Sequence, residues 1–200
     1  MGDYTDWIAF QRTAGGLPAN FFGYLAMIFC RLITRHNLRN PASIPGDYSV
    51  DGKYLNSNTV PKRDPPTAKT DTDRWPVPQR QYEDPSEEMK TAIEQFAERF
   101  ATDNNLVKGT AYDSLNAYYL DGVEVFHRHP KDYSHHVMLH PSDAKLLLVL
   151  EWGELFGLAG KVGQKLGTVL VFAPRSTEEI KVLETIFKGV MEYAKKGKAS

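Results

Sequence analysis

The stretch from Asn116 to His140, NAYYLDGVEVFHRHPKDYSHHVMLH, decides the fold. Asp121-Gly122 supplies the positive φ values of a two-residue type I′ turn, so the apolar and aromatic runs on either side read as the two arms of a β-hairpin. That turn sets Leu120 opposite Val123, Tyr118 opposite Val125 and Asn116 opposite His127. Alternate side chains of a strand share a face, so Val123, Val125, His127 and His129 are expected on one side and Glu124, Phe126 and Arg128 on the other. The short Pro-Lys-Asp connection leads to a further strand, SHHVMLH. A three-residue loop at 130–132 puts His135 opposite His127 and Tyr133 opposite His129; a four-residue loop at 130–133 makes His136 the partner, with His140 further along the same side. Val137 and Leu139 side with His135, which argues for burying the odd-numbered set.

Working outward, Ser86 caps a helix with Glu87 and Glu88 in its first turn, and Met89, Ile93, Phe96 and Phe100 form one apolar face. Asp103-Asn104-Asn105 ends it. On the other side, Pro141-Ser142 opens a helix through DAKLLLVL. A Gly-rich loop, EWGELFGLAGKVGQKLG, precedes an apolar strand, TVLVFA. A last helix starts at Ser176, where STEE reads as a capping box and Ile180, Leu183, Ile186, Phe187, Val190 and Met191 form one stripe. Consecutive strands joined by tight turns exclude a doubly wound parallel sheet here. The expected class is α+β: an antiparallel β-sheet packed against helices, with a long Pro-rich irregular arm.

The expected organisation is a single domain over residues 1–200, made of an N-terminal helical segment (1–40), an extended Pro-rich arm (41–85) and an α+β core (86–195). Eight of the twelve prolines lie between Asn40 and Pro85. Proline removes a backbone donor and biases its predecessor away from helix, so the arm should wrap the surface in extended pieces. Tyr48, Tyr54, Trp75 and Tyr82 give it apolar anchors, which favours an ordered arm over a linker. In the N-terminal segment, FFGYLAMIFCRLI (Phe21–Ile33) is too short to span a bilayer core, which takes about 20 residues. It is expected as a helix packed on the core, with peripheral contact to an anionic membrane surface as the second option.

Lys+Arg number 24 and Asp+Glu 25, for a net charge of −1. No basic stripe offers itself to a phosphate backbone, so nucleic acid is not an expected partner. The one cysteine, Cys30, has no zinc-finger neighbours, which suits a reducing, cytoplasmic setting.

Five of the six histidines fall in the opening stretch. Two imidazoles beside valines on one strand face must find partners or meet a ligand. Imidazole is a natural general base near neutral pH. The same residues, His127 and His129 at spacing two plus a third from the next strand, could hold zinc or iron. No G-x-S-x-G elbow points to nucleophilic hydrolysis.

The residues also resemble the fungal luciferase family and its wider luciferase-domain relatives. LPANFFGYLAMIFCRL is similar to the segment that follows the membrane anchor of fungal luciferases, and by this resemblance the chain is expected to lack that anchor. PVPQRQ matches the family's Gln-Arg-Gln segment at Gln79, Arg80 and Gln81. The H-x-H pair falls on His127 and His129, and the strand histidine on His136, which favours the four-residue loop. The H-P-x-D-A motif falls on His140, Pro141, Asp143 and Ala144; W-G on Trp152 and Gly153; L-A-G on Leu158 to Gly160; and Y/F-A-P-R on Phe172 to Arg175. One departure stands out: an Arg-His-Pro unit of the luciferases is here Leu155, Phe156 and Gly157, so light from the luciferases' own substrate is not expected.

The resemblance implies a soluble, cofactor-free oxygenase with dioxygen as co-substrate, acting on a 3-hydroxy-2-pyrone or related aromatic polyketide by enol deprotonation, oxygen addition and decarboxylation. The implied catalytic set is His127, His129, His136 and Arg175. Arg80, Tyr118, Tyr133, Trp152 and Phe156 are the implied substrate-binding set. No metal is implied; if one is bound, His127, His129 and His136 would be its ligands. A metal-dependent hydrolase or dioxygenase, and a non-catalytic binder of aromatic metabolites, are the alternatives.

Overall fold

The computed structural model describes residues 2–14, 17–70, 76–77, 79–111 and 115–196. Among these residues, six strands form one antiparallel sheet: β1 (Val107–Ala111), β2 (Leu115–Leu120), β3 (Val123–Arg128), β4 (His135–Met138), β5 (Gly153–Leu155) and β6 (Thr168–Val171), in the order β1-β2-β3-β4-β6-β5. The helices are α1 (Gly2–Ala14), α2 (Phe21–Ile33), α3 (Glu87–Asp103), α4 (Pro141–Val149) and α5 (Thr177–Lys196). The class is α+β, as the hairpin pattern requires. Two strands escape sequence reading: β1, and β5 inside the Gly-rich loop.

Asp121 and Gly122 take φ of 48° and 82°, and Leu120 stands opposite Val123. Two residues further the expected pairing fails. Tyr119 pairs with Glu124 but Tyr118 pairs with Phe126, leaving Val125 as the extra residue of a β-bulge. The bulge reverses the parity of everything beyond it. Ala117, not Asn116, now faces His127, and Tyr118 stacks on Phe126 with ring centroids 4.5 Å apart. At the other end of β3, the His129 amide donates to Ser134 O at 2.9 Å, and His127 pairs with His136. The loop therefore has four residues, 130–133.

These registers sort the strands into two rows with opposite surroundings. Phe126, Val137, Val169 and Leu155 lie side by side across β3, β4, β6 and β5 and belong to the main core. Phe96 and Phe100 of α3 and Phe187 of α5 cover them, with the Phe126 and Phe187 centroids 4.3 Å apart. Each such fully buried ring is worth roughly 1.5–3 kcal/mol of transfer free energy. Ser86 caps α3 by accepting the Met89 amide at 3.2 Å, and Ser176 accepts the Glu179 amide at 3.3 Å. The Glu179 carboxylate does not complete a capping box; it turns instead to Arg63 and Arg175.

The next row along the same strands reads Ala117, His127, His136, Leu170 and Glu154, on the face away from α3 and α5. All five are buried or nearly so. The odd-numbered set of β4, with His135, Val137 and Leu139, is buried as its apolar residues argue, and His136 is enclosed as well because both faces of the sheet are covered.

Segments between residues 52 and 83 do much of the covering. Asp143, at the start of α4, accepts the amides of Lys53, Tyr54 and Leu55 at 2.6, 2.9 and 3.0 Å from a single carboxylate oxygen. Leu55 then packs so closely on Gly189 of α5 that a Cβ there would meet its side chain at 2.6 Å. Buried Arg63 donates to Glu179 and to Ala173 O, both at 2.7 Å. Beyond these anchors, Gln79 and Gln81 lie against the histidine face. Trp75, expected as an anchor, lies outside the described residues.

Helix α2 has the expected bounds but not the expected packing. It meets α1 through Met27, Trp7 and Phe10, while Phe22 and Leu32 remain 78% and 80% exposed and Phe21, Leu25 and Phe29 are also open. No helix among the described residues is long and apolar enough to cross a membrane.

Candidate functional site

Three imidazoles converge on the second face. His127 and His129 extend from β3 and its edge, and His136 stands directly across from His127 on β4. The ring centroids are 5.0 Å apart for His127–His136 and His129–His136, and 5.7 Å for His127–His129. One nitrogen from each ring lies within 4.8 Å of the other two. All three side chains are buried.

The rings are held from outside the cluster. The β-bulge brings Glu124 round to the histidine side, where its carboxylate meets His127 Nδ1 at 2.6 Å. His129 Nδ1 lies 3.0 Å from Ser134 Oγ. That hydroxyl donates to the fully buried Asp132, at 3.0 Å to each carboxylate oxygen. Asp132 in turn accepts the Gln81 amide at 2.6 Å, tying the turn to the segment above it. The Gln79 backbone hydrogen-bonds His136, whose Nδ1 is buried with no partner. The Gln79 side chain donates to Glu154 at 2.5 Å and to Leu155 O at 3.1 Å.

Removal from water makes charge expensive here. Burial pulls the His127 imidazole below its usual range, with the Glu124 hydrogen bond opposing and His129 adding to the effect. His136 is held well below its ordinary value by burial first and by the neighbouring imidazoles second. His127 and His136 are therefore neutral rings at neutral pH, able to accept protons but not to act as standing cations.

Phe156 is the one implied substrate-binding residue that reaches the cluster, edge-on to His136 at 5.0 Å. It occupies the position where the luciferase resemblance has a histidine. The other four are placed elsewhere. Tyr118 is on the core face, donating to Glu98, and burial together with that carboxylate pushes its hydroxyl up to about 12. Tyr133 donates to Glu94 at 2.7 Å beneath the Arg128 guanidinium. Trp152 is core, with its indole N–H on Pro61 O at 2.7 Å and Arg63 over its ring. Arg80 stacks on Phe10 of α1 at 4.5 Å, because the extended chain that turns Gln79 and Gln81 inward turns Arg80 away.

Arg175, the implied oxyanion holder, is likewise not part of the cluster. Its guanidinium is committed to Glu179, Asp64 O and Pro66 O. His140 leaves the strand to cap α4, its Nδ1 accepting the Ser142 amide at 3.2 Å.

Sequence reading missed Glu124, Asp132 and Ser134. Strict alternation put Glu124 on the wrong face. The Asp-x-Ser pair carried a usable signal, since such residues in a tight loop bond their own turn.

Beside the cluster, on the Glu154 side, an open groove of about 870 Å³ is lined by Arg39, Lys69, Thr70, Tyr82 and Glu154 among others. Two strand spacings, roughly 10 Å, separate Glu154 from His136 along the row. Arg39 and Thr70 bond the same Glu154 oxygen, at 3.2 and 2.9 Å.

No curated protein and no solved structure matches the chain. Residues 122–189, which run from the β2–β3 turn through all three cluster histidines and into α5, match the model of the luciferase domain, and over that stretch the chain is similar to that family.

Proposed function

We propose that the chain is a luciferase-like oxygenase that works on a planar, electron-rich enol of the 3-hydroxy-2-pyrone type at the three-histidine cluster. The observation that carries this reading is the convergence of His127, His129 and His136 in a buried setting with their Nδ1 atoms or backbone neighbours engaged outside the cluster. An enol must give up its proton before it can pass an electron to dioxygen. Neutral imidazoles in a water-poor environment suit the generation and holding of that enolate. Addition of O2 to the ring carbons then gives a cyclic peroxide, and its fragmentation releases CO2. In this reading the substrate approaches along the groove at Glu154, and Phe156 packs against its ring.

The test is oxygen consumption in the presence of a 3-hydroxy-2-pyrone, comparing wild type with His127→Ala. Substrate-dependent uptake that the variant loses supports the proposal. Tight pyrone binding with no uptake by wild type would replace it with a binding protein, and equal rates in the two proteins would remove the cluster from the chemistry.

A further inference from the structure

We infer that the outer face of α2 is a docking surface for an anionic lipid bilayer, on which the helix lies flat with its apolar side chains among the acyl chains.

The sequence builds this helix firmly and leaves one side of it open. Asn20 caps α2 by accepting the Gly23 amide at 3.0 Å, and at the other end the Thr34 hydroxyl donates to Cys30 O at 2.7 Å. Gly23 lies so close to the preceding turn that a Cβ there would meet Pro18 O at 1.9 Å and the Trp7 ring at 3.1 Å. With Met27 one turn on, that side is seated on α1. Past the helix, the Arg35 amide donates to Gly157 O at 2.8 Å and ties it to the loop after β5. The opposite face is therefore held in a set direction before any partner arrives.

At 3.6 residues per turn, Phe21, Phe22, Leu25, Ile28, Phe29 and Leu32 fall within about 120° of one another, on the side away from Gly23 and Met27. All six are open to solvent. Large apolar side chains exposed singly, such as Val50, Val107 and Val149, are ordinary; six on one helical face form a patch that marks an interaction site.

Charge says what covers it. Residues 7–46 contain Arg12, Arg31, Arg35 and Arg39 and no aspartate or glutamate, in a chain of net charge −1. Arg39 pairs with Glu154, but Arg12 and Arg31 are exposed, and Arg31 borders the apolar face. At the C-terminal end of α2, Arg35 Nε donates to Ala159 O at 2.8 Å and Lys161 Nζ to Ile33 O at 2.5 Å, contacts with carbonyls that leave both charges in place. Of the acids on α1, Asp3 accepts the Tyr24 hydroxyl at 3.2 Å. An apolar stripe rimmed by cations suits the boundary of a bilayer that carries anionic lipid. Two copies of the chain joined across this face would instead bring the same cations together. Thirteen residues reach roughly 20 Å, short of the ~30 Å hydrocarbon core, so the helix lies in the surface and does not cross it. The inference stands apart from the oxygenase reading, because lipid binding is measured without substrate.

The test is cosedimentation of the full chain with vesicles of phosphatidylcholine alone or of equal parts phosphatidylcholine and phosphatidylserine. The mixed vesicles should bind the protein, the neutral ones much less, and added salt should weaken the binding. Phe22→Ser and Leu32→Ser should each lower partitioning by about 10-fold. Arg31→Gln should lower it by about 5-fold on the mixed vesicles, the worth of one cation at an anionic surface. Val149→Ser, at an exposed valine off the face, should change nothing. Circular dichroism checks folding; should a serine variant not fold, Arg31→Gln and the preference for phosphatidylserine decide. Folded wild type that ignores the mixed vesicles overturns the inference, as does binding that none of the α2 substitutions weakens. A dimer in the absence of vesicles, seen by analytical ultracentrifugation and dissociated by Phe22→Ser, would assign the face to a second copy of the chain and overturn it as well.

Discussion

His135 and His136 are neighbours on one short strand, both buried, and they could hardly be placed more differently. His135 sits between Phe126 and Phe187, with centroids 6.0 and 5.3 Å away, and neither of its ring nitrogens has a hydrogen-bond partner. His136 faces two other imidazoles and Phe156, each 5.0 Å away. Burial therefore says little about a histidine's role. What separates the two is company: an imidazole among phenyl rings is an expensive core residue, while one among imidazoles held by Glu124, Ser134 and Gln79 belongs to an organised site.

The comparison breaks most readily by exchanging the fates of the pair. His136→Ala should lower pyrone-dependent oxygen uptake by about 100-fold or more, the scale of a lost acid–base group. His135→Leu should leave the same rate within about twofold. A rate that falls with His135 and survives without His136 would mean that the two faces have been assigned the wrong way round.

A second, smaller effect concerns the segment between residues 52 and 83 that covers the sheet. Asp143 holds three successive amides with one oxygen and so fixes the start of the covering segment. Hydrogen bonds to a charged acceptor are worth about 1.5–3 kcal/mol, so Asp143→Ala should cost on the order of 2–4 kcal/mol of unfolding free energy, read from urea melts. Loss of a comparable amount in Arg63→Ala, which removes one of the two guanidinium partners of Glu179, would show that the covering acts as one unit.

Acidity gives a third handle. Burial first, and the Arg128 charge second, hold the His135 imidazole well below its ordinary value. A base with a depressed folded pKa contributes stability that is complete above the unfolded value near 6.5 and is lost as pH falls through that value toward the folded one. Wild type should lose stability steadily below about pH 6.5, and His135→Leu should flatten that slope. At pH 7 the same substitution should be neutral or stabilising by about 1 kcal/mol, because it removes an unpartnered polar ring without opening a cavity. Identical slopes for the two proteins would show that the ring finds a partner in solution.

Much of this arrangement was legible before any coordinates. The Asp-Gly turn, the stripes of α3 and α5 and the histidine cluster follow from local chemistry: turn residues, helical period, and a residue type too concentrated to be accidental. The rest depends on events without a local signature. One extra residue at Val125 reverses which side chains face the cluster, removing Tyr118 and delivering Glu124. Motif residues such as Trp152 and Arg175 announce position in the chain but not direction, and both turn to Pro61, Asp64 and Pro66 instead of the histidines. The covering of the second face is built from contacts across tens of residues, such as Gln79 to Glu154, that no window of sequence displays.

The bulge itself yields the smallest and most discriminating prediction. Strict alternation would set the Tyr118 hydroxyl beside His127, where its loss should cost activity. The bulged register sets it on the core face, stacked on Phe126 and donating to Glu98, a carboxylate that also pairs with Lys108. Tyr118→Phe keeps the stacked ring and removes one partly exposed hydrogen bond, so it should destabilise the fold by about 0.5–1.5 kcal/mol and leave oxygen uptake unchanged. The two registers thus assign opposite consequences to one oxygen atom. A Tyr118→Phe protein with native stability and impaired turnover would restore the unbulged hairpin, and with it would take Glu124 away from His127.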